Sequence, residues 1–177
     1  MVRRVVTGEK EGKSVFLSDG PVANTHNYVA VPGFQTTLAW ATMKGVASLP
    51  HDGKDPVVSI QSAVPDPHGT RLMVVQFPPD SVMTSSDFDP AAAGAEYAAY
   101  LPGLAEAFDA DGSGMHQTLS VDYDVIVSGE LWLELDDGNT VHLKKGDVVV
   151  QNGTRHAWRN KGTAPVTMLF FLNGAKV

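Results

Sequence analysis

The stretch Met115–Asn160, MHQTLSVDYDVIVSGELWLELDDGNTVHLKKGDVVVQNGTRHAWRN, decides the fold. Ser128-Gly129, Asp136 to Asn139, Lys144 to Gly146, Asn152-Gly153 and Asn160 to Gly162 punctuate it with turn residues roughly every eight positions. Between them lie runs rich in Val, Ile, Leu and Trp. Short apolar runs at that spacing predict an all-β sandwich or barrel. Asp137-Gly138 between two such runs predicts a tight hairpin, because both central residues of that turn need positive φ. The same stretch carries His116, Asp122 and His156, interleaved with the strands.

Outward from it, the 177-residue chain has the length of one domain with one substantial core. It contains no cysteine, which excludes thiolate metal sites, cysteine nucleophiles and disulfides. A net charge of −7 without any basic stripe argues against a nucleic-acid partner. No apolar run reaches the roughly 20 residues of a membrane-spanning helix. MVRRVVTGEKEGK lacks the apolar stretch of a secretory or twin-arginine signal, so a cytoplasmic protein without membrane association is expected.

Residues 1–68 are expected to form an N-terminal arm with loops, and residues 69–177 a barrel, within one domain. Ser14–Leu17, Thr36–Thr42, Val57–Ser62 and Thr70–Phe77 read as strands. Residues 85–114 differ in kind: Asp89 before Pro90 is a helix start, and helix formers follow to Tyr100. A helical insertion at about 88–110, a lid or a subunit contact, is therefore expected. Asp109–Gly114 begins like a calcium loop, but the twelfth position, where a bidentate glutamate is needed, holds Ser120; the run reads as a polar turn. His26, His51, His68 and His142 read as exposed, and Trp132 as core.

These residues resemble the conserved barrel of the cupins, small jelly-roll β-barrels. Aligning Gly129 with the glycine of the family's first motif puts Asp122 at its glutamate, Thr118 at its second histidine and His116 at its first. Gly146-Asp147, Gly153, His156 and Asn160 resemble the second motif, whose usual proline is absent here. The likeness covers about a third of the chain strongly. RRVVTG, SVFLSDGP, VDYDVIVSGELWLELDDG and KKGDVVVQNGTRHAWRN are similar to a subgroup of single-domain cupins. The resemblance implies a cupin jelly roll, a homodimer and a small-molecule substrate. It leaves the activity open, because one fold hosts many functions.

The residues themselves allow two chemistries. His116, Asp122 and His156 are a competent ligand set for Fe(II), Mn(II), Zn(II) or Ni(II). Asp124, Thr118 or Gln151 would then hold the imidazole tautomers. Without a metal, a histidine–aspartate set serves as general acid and base. Thr118, Trp158, Arg155 and Gln151 complete the expected substrate pocket, with Arg155 and Arg159 either gripping a substrate carboxylate or solvating the surface. The expected function is a lyase or isomerase (decarboxylation, dehydration or cyclisation) acting on an oxygenated organic acid or polyketide-like compound. A non-haem Fe(II) dioxygenase and a non-catalytic ligand-binding module are the alternatives.

Overall fold

Period-two burial along residues 120–126 sets the architecture. Ser120, Asp122, Asp124 and Ile126 are buried, while Tyr123 faces out. In the computed structural model, which describes residues 1–45 and 47–176, this strand lies next to the edge of a six-stranded sheet. The strands are β1 (Arg3–Lys10), β2 (Lys13–Pro21), β3 (Thr25–Asn27), β4 (Gln35–Thr42), β5 (Thr70–Phe77) and β6 (Ser120–Ser128). They continue with β7 (Glu130–Glu134), β8 (Thr140–Lys144), β9 (Val148–Asn152), β10 (Ala157–Arg159) and β11 (Val166–Gly174). Sheet order is β3-β4-β5-β11-β6-β9 in the large sheet and β10-β7-β8 in a three-stranded one. The fold is all-β, with the two main sheets expected of a jelly roll.

Ile126, Leu131, Leu143, Val166 and Met168 form one apolar cluster. Side chains of this size contribute roughly 1.5–3 kcal/mol each on full burial. A second cluster, built on Tyr28, Val31, Leu38, Met73, Val75 and Leu172, packs against the helical insertion. That insertion contains α1 (Pro90–Tyr100), which supplies Ala93 to this cluster; Leu101 just beyond it also contributes. Asp89 caps α1 by accepting from Ala91 N at 2.9 Å and Ala92 N at 3.1 Å. Asp89→Ala is expected to cost about 1 kcal/mol. At this chain length that is a fall of about 2–4 °C in thermal midpoint, which calorimetry would detect.

The hairpin reading of Asp137-Gly138 holds: β7 pairs with β8 around it, with φ of 60° and 70° at the two residues. Four expectations change. Val57–Ser62 is not a strand; Pro56–Ser59 is a 3-10 turn capped by Asp55, the same Asp-Pro signature that starts α1. The barrel begins well before residue 69, since β3 and β4 belong to the large sheet. Only β1 and β2 stand apart as an arm, and they pair with each other. Trp132 is half-buried, stacked on His142 at 4.3 Å with Lys161 above its ring. His26 is on β3, bonded through Nε2 to Glu96 at 2.8 Å and stacked on Tyr100. Among the described residues, no helix is long and apolar enough to cross a membrane.

Candidate active site

His116 and His156 form an antiparallel bridge in which each backbone N–H donates to the other's carbonyl, both at 2.9 Å. Residues so paired project to the same side of a ladder, and here the ring centroids are 4.2 Å apart. Phe108 lies at 4.7 Å from His116, and Trp158 meets the His156 ring edge-on at 5.5 Å. Both histidines are buried.

Each imidazole is oriented by a carbonyl two residues upstream. His116 Nδ1 is 3.3 Å from Gly114 O, and His156 Nδ1 is 2.9 Å from Thr154 O. A carbonyl only accepts, so in each ring Nδ1 carries the proton and Nε2 presents a lone pair. Asp124, Thr118 and Gln151, the expected orienting groups, do not make these contacts. Burial and the neighbouring His156 imidazole push the His116 pKa down to about 4. Burial lowers that of His156 as well. Both rings are therefore neutral bases at pH 7.

The two histidines open onto a cavity of about 590 Å³, which Asp122, Thr118 and Trp158 also line. That volume suits a small-molecule site. Pro90, Ala93, Gly94, Tyr97, Leu101 and Leu104 of the helical insertion form part of its wall. Asp122 is 5% exposed, with Oδ1 unpartnered, and burial lifts its pKa to about 6. Asp124, two residues on and 1% exposed, is pushed up to about 8 by burial and by the charge of Asp122. No hydrogen bond joins Asp122 to either histidine among the described residues.

The remaining expected pocket residues are placed elsewhere. Arg155 pairs with Asp109, which lines the cavity (Nε–Oδ2 2.8 Å), and with Asp136 (2.6 Å), but does not itself line the cavity. Gln151 is buried opposite Asp122 on β9, accepts from Thr154 Oγ1, and leaves Nε2 unpartnered. Tyr97 and Phe108, both lining the cavity, escaped sequence reading. Tyr97 sits one turn from Leu101 on an ordinary amphipathic pattern, and nothing local distinguishes a cavity wall from core.

The donor set does not fit a conventional metal centre. Among the described residues, no three His, Cys, Asp or Glu side chains are grouped to hold an ion. The paired histidines supply two nitrogen donors, but Asp122, although it shares their cavity, does not complete the group. Reactive chemistry is accordingly derived from the side chains.

The cupin domain family profile matches residues 113–172, the segment holding both histidines and Asp122. Phomopsin biosynthesis cluster protein C' of Diaporthe leptostromiformis is 51% identical over 63 residues, covering 35% of this chain and 33% of that protein. The matched part is thus about a third of that relative's length. Cupin-domain-containing oxidoreductase fogC of Aspergillus ruber is 27% identical over 175 residues, covering 97% of this chain and 71% of that one. A putative ethanolamine utilization protein Q from Salmonella typhimurium aligns with a TM-score of 0.43 and 11% identity, covering 99% of this chain and 98% of that one. Residues 113–172, the third of the chain that carries the site, are therefore a match to the cupin domain family, set here within two sheets.

Proposed function

We propose that this protein is an enzyme of the lyase or isomerase type, using His116 and His156 as general bases on a small carbonyl compound. The paired Nε2 lone pairs facing one cavity support this reading above any other observation. One Nε2 takes the proton from a carbon next to the substrate carbonyl. The C–H electron pair becomes a C=C bond, and the carbonyl oxygen takes up the displaced π pair as an enolate. In a β,γ-unsaturated carbonyl compound the proton returns to the γ carbon of the dienolate, giving the α,β-unsaturated isomer. In a β-hydroxy carbonyl compound it passes to the hydroxyl, which leaves as water while the enolate electrons re-form the C=O and make the Cα=Cβ bond. Asp122, predominantly ionised at pH 7, offsets the positive charge that the imidazole acquires. The insertion and the aromatic wall make most of the surface around the enolate apolar.

A second reading, metal-dependent oxidation, is favoured by the fogC-like relative that spans nearly the whole chain. It requires an ion held by two imidazoles, with the other positions filled by water or substrate.

The two separate in one experiment on purified full-length protein, combining elemental analysis with proton exchange into 2-tetralone in D2O followed by NMR. Exchange at the carbons flanking the carbonyl, at metal contents far below stoichiometric and unchanged by chelator, is the expected result. Stoichiometric metal, with oxygen uptake and no chelator-resistant exchange, would replace the first reading by the second.

A further inference from the structure

The polar groups on the cavity wall are matched to one kind of ligand, an inference that rests on the acid–base reading above and names its substrate class. His116 and His156 present acceptor nitrogens, because their Nδ1 protons are held by Gly114 O and Thr154 O. Asp122 adds carboxylate oxygens. The other acids on the wall are engaged: Asp80 Oδ1 accepts from Asn160 N at 2.9 Å, and Asp109 binds Arg155.

Arg159 is the one arginine or lysine lining the cavity among the described residues. Its charge is met by Glu134, with Nε to Oε2 at 2.5 Å, and its Nη1 donates to Ser113 O at 2.7 Å. No uncommitted cation therefore faces the pocket. Tyr97 lines it, and its hydroxyl has no hydrogen-bond partner among the described residues. The rest of the wall is largely apolar and aromatic, with Phe34, Phe77, Phe88, Phe108, Trp158 and Phe170. A carboxylate entering here would set acceptor oxygens against acceptor nitrogens and a carboxylate, with no cation to compensate its lost hydration. A hydroxyl would donate to Nε2.

We infer that the cavity selects a neutral, flat, ring-bearing molecule that presents a hydroxyl or enol to His116 and His156, and that it rejects carboxylates. Of the substrates expected from sequence, an oxygenated organic acid or a polyketide-like compound, this proposal favours the neutral, polyketide-like kind.

Titration calorimetry on the full chain at pH 7.5 with 2-naphthol, 2-methoxynaphthalene and 2-naphthoate tests this. 2-Naphthol mimics the enol of 2-tetralone. It is expected to bind at least tenfold more tightly than 2-naphthoate and several-fold more tightly than the methyl ether, which lacks the donor. Glu134→Gln frees the Arg159 charge and is expected to raise naphthoate affinity at least threefold while leaving 2-naphthol unchanged. Naphthoate binding as tightly as naphthol, or no binding by any of the three, would overturn the inference.

The outcomes are separable from those for catalysis. If both histidines prove essential for exchange but naphthoate is preferred, only the substrate class fails. If naphthol is preferred but exchange survives loss of both histidines, only the catalytic assignment fails.

Discussion

Replacing His116 and His156 together by glutamine is expected to reduce protein-catalysed exchange of 2-tetralone to the buffer background. A loss of about 10²–10⁴-fold is the usual contribution of a general base. Glutamine is close to histidine in length and polarity, so the cavity stays filled, but it has no basic nitrogen. The fold should survive, because the bridge between these residues consists of two backbone hydrogen bonds that need no particular side chain. Unchanged circular dichroism with lost exchange is the expected pair of observations. The single variants divide the roles: the histidine whose loss costs more is the base that meets the carbon. Exchange should also persist well below neutrality in the parent, since His116 protonates only near pH 4. A double variant that exchanges at the parental rate would remove both histidines from the mechanism.

What was legible in the sequence follows the range of the interactions concerned. Turn chemistry is local, so Asp137-Gly138 announced its hairpin and Asp89-Pro90 its helix start, and β5 begins and ends where its apolar run does. The proximity of His116 and His156 followed from the cupin motif spacing, which encodes a barrel as much as a pair of residues. Partner identity is not local. Nothing around Arg155 specifies Asp109 and Asp136 as its ligands, so a surface ion-pair cluster read equally well as a carboxylate grip. His26 lies among turn residues, yet Glu96 on α1, about 70 positions away, draws it into the anchoring of the insertion. That same carboxylate accepts from the backbone of Val29 and Ala30. The carbonyls that fix the imidazoles belong to Gly114 and Thr154, whose side chains carry no sign of the role. The cavity walls escaped for a related reason: Tyr97, Leu101 and Phe108 have the spacing of any packed helical face.

Stability should fall by roughly 1 kcal/mol between pH 6.5 and 8.5, and Asp124 is the group mainly responsible. Its carboxyl is fully buried, and burial together with the charge of Asp122 raises its pKa from the ordinary 3.8 to about 8. A raised acid binds its proton more tightly folded than unfolded, so its contribution is fully present below the unfolded pKa. It is lost as pH rises through the folded one. Asp122, raised to about 6, behaves the same way over a narrower range. The histidines act in the opposite sense. Their lowered pKa values mean that the unfolded chain takes up protons the folded chain refuses, so acid below about pH 6.5 destabilises. Between roughly pH 4 and 6 the acids and the imidazoles therefore oppose each other and the net slope is shallow. At pH 6.5 the unfolded imidazoles are still half protonated, so between there and pH 8.5 the two histidines return roughly 0.8 kcal/mol together, while Asp122 is mostly ionised and Asp124 dominates the loss. At about 1.4 kcal/mol per pH unit for one proton, the window up to its folded pKa gives about 2 kcal/mol for Asp124, of which the histidines return somewhat less than half. Urea denaturation at pH 6.5 and 8.5 reads it as a drop of about 0.5 M in midpoint. Asp124→Asn keeps the size of the side chain and abolishes its ionisation, so the variant should lose that fall. Parallel curves for parent and variant would mean that Asp124 ionises in the folded protein as readily as in the unfolded chain.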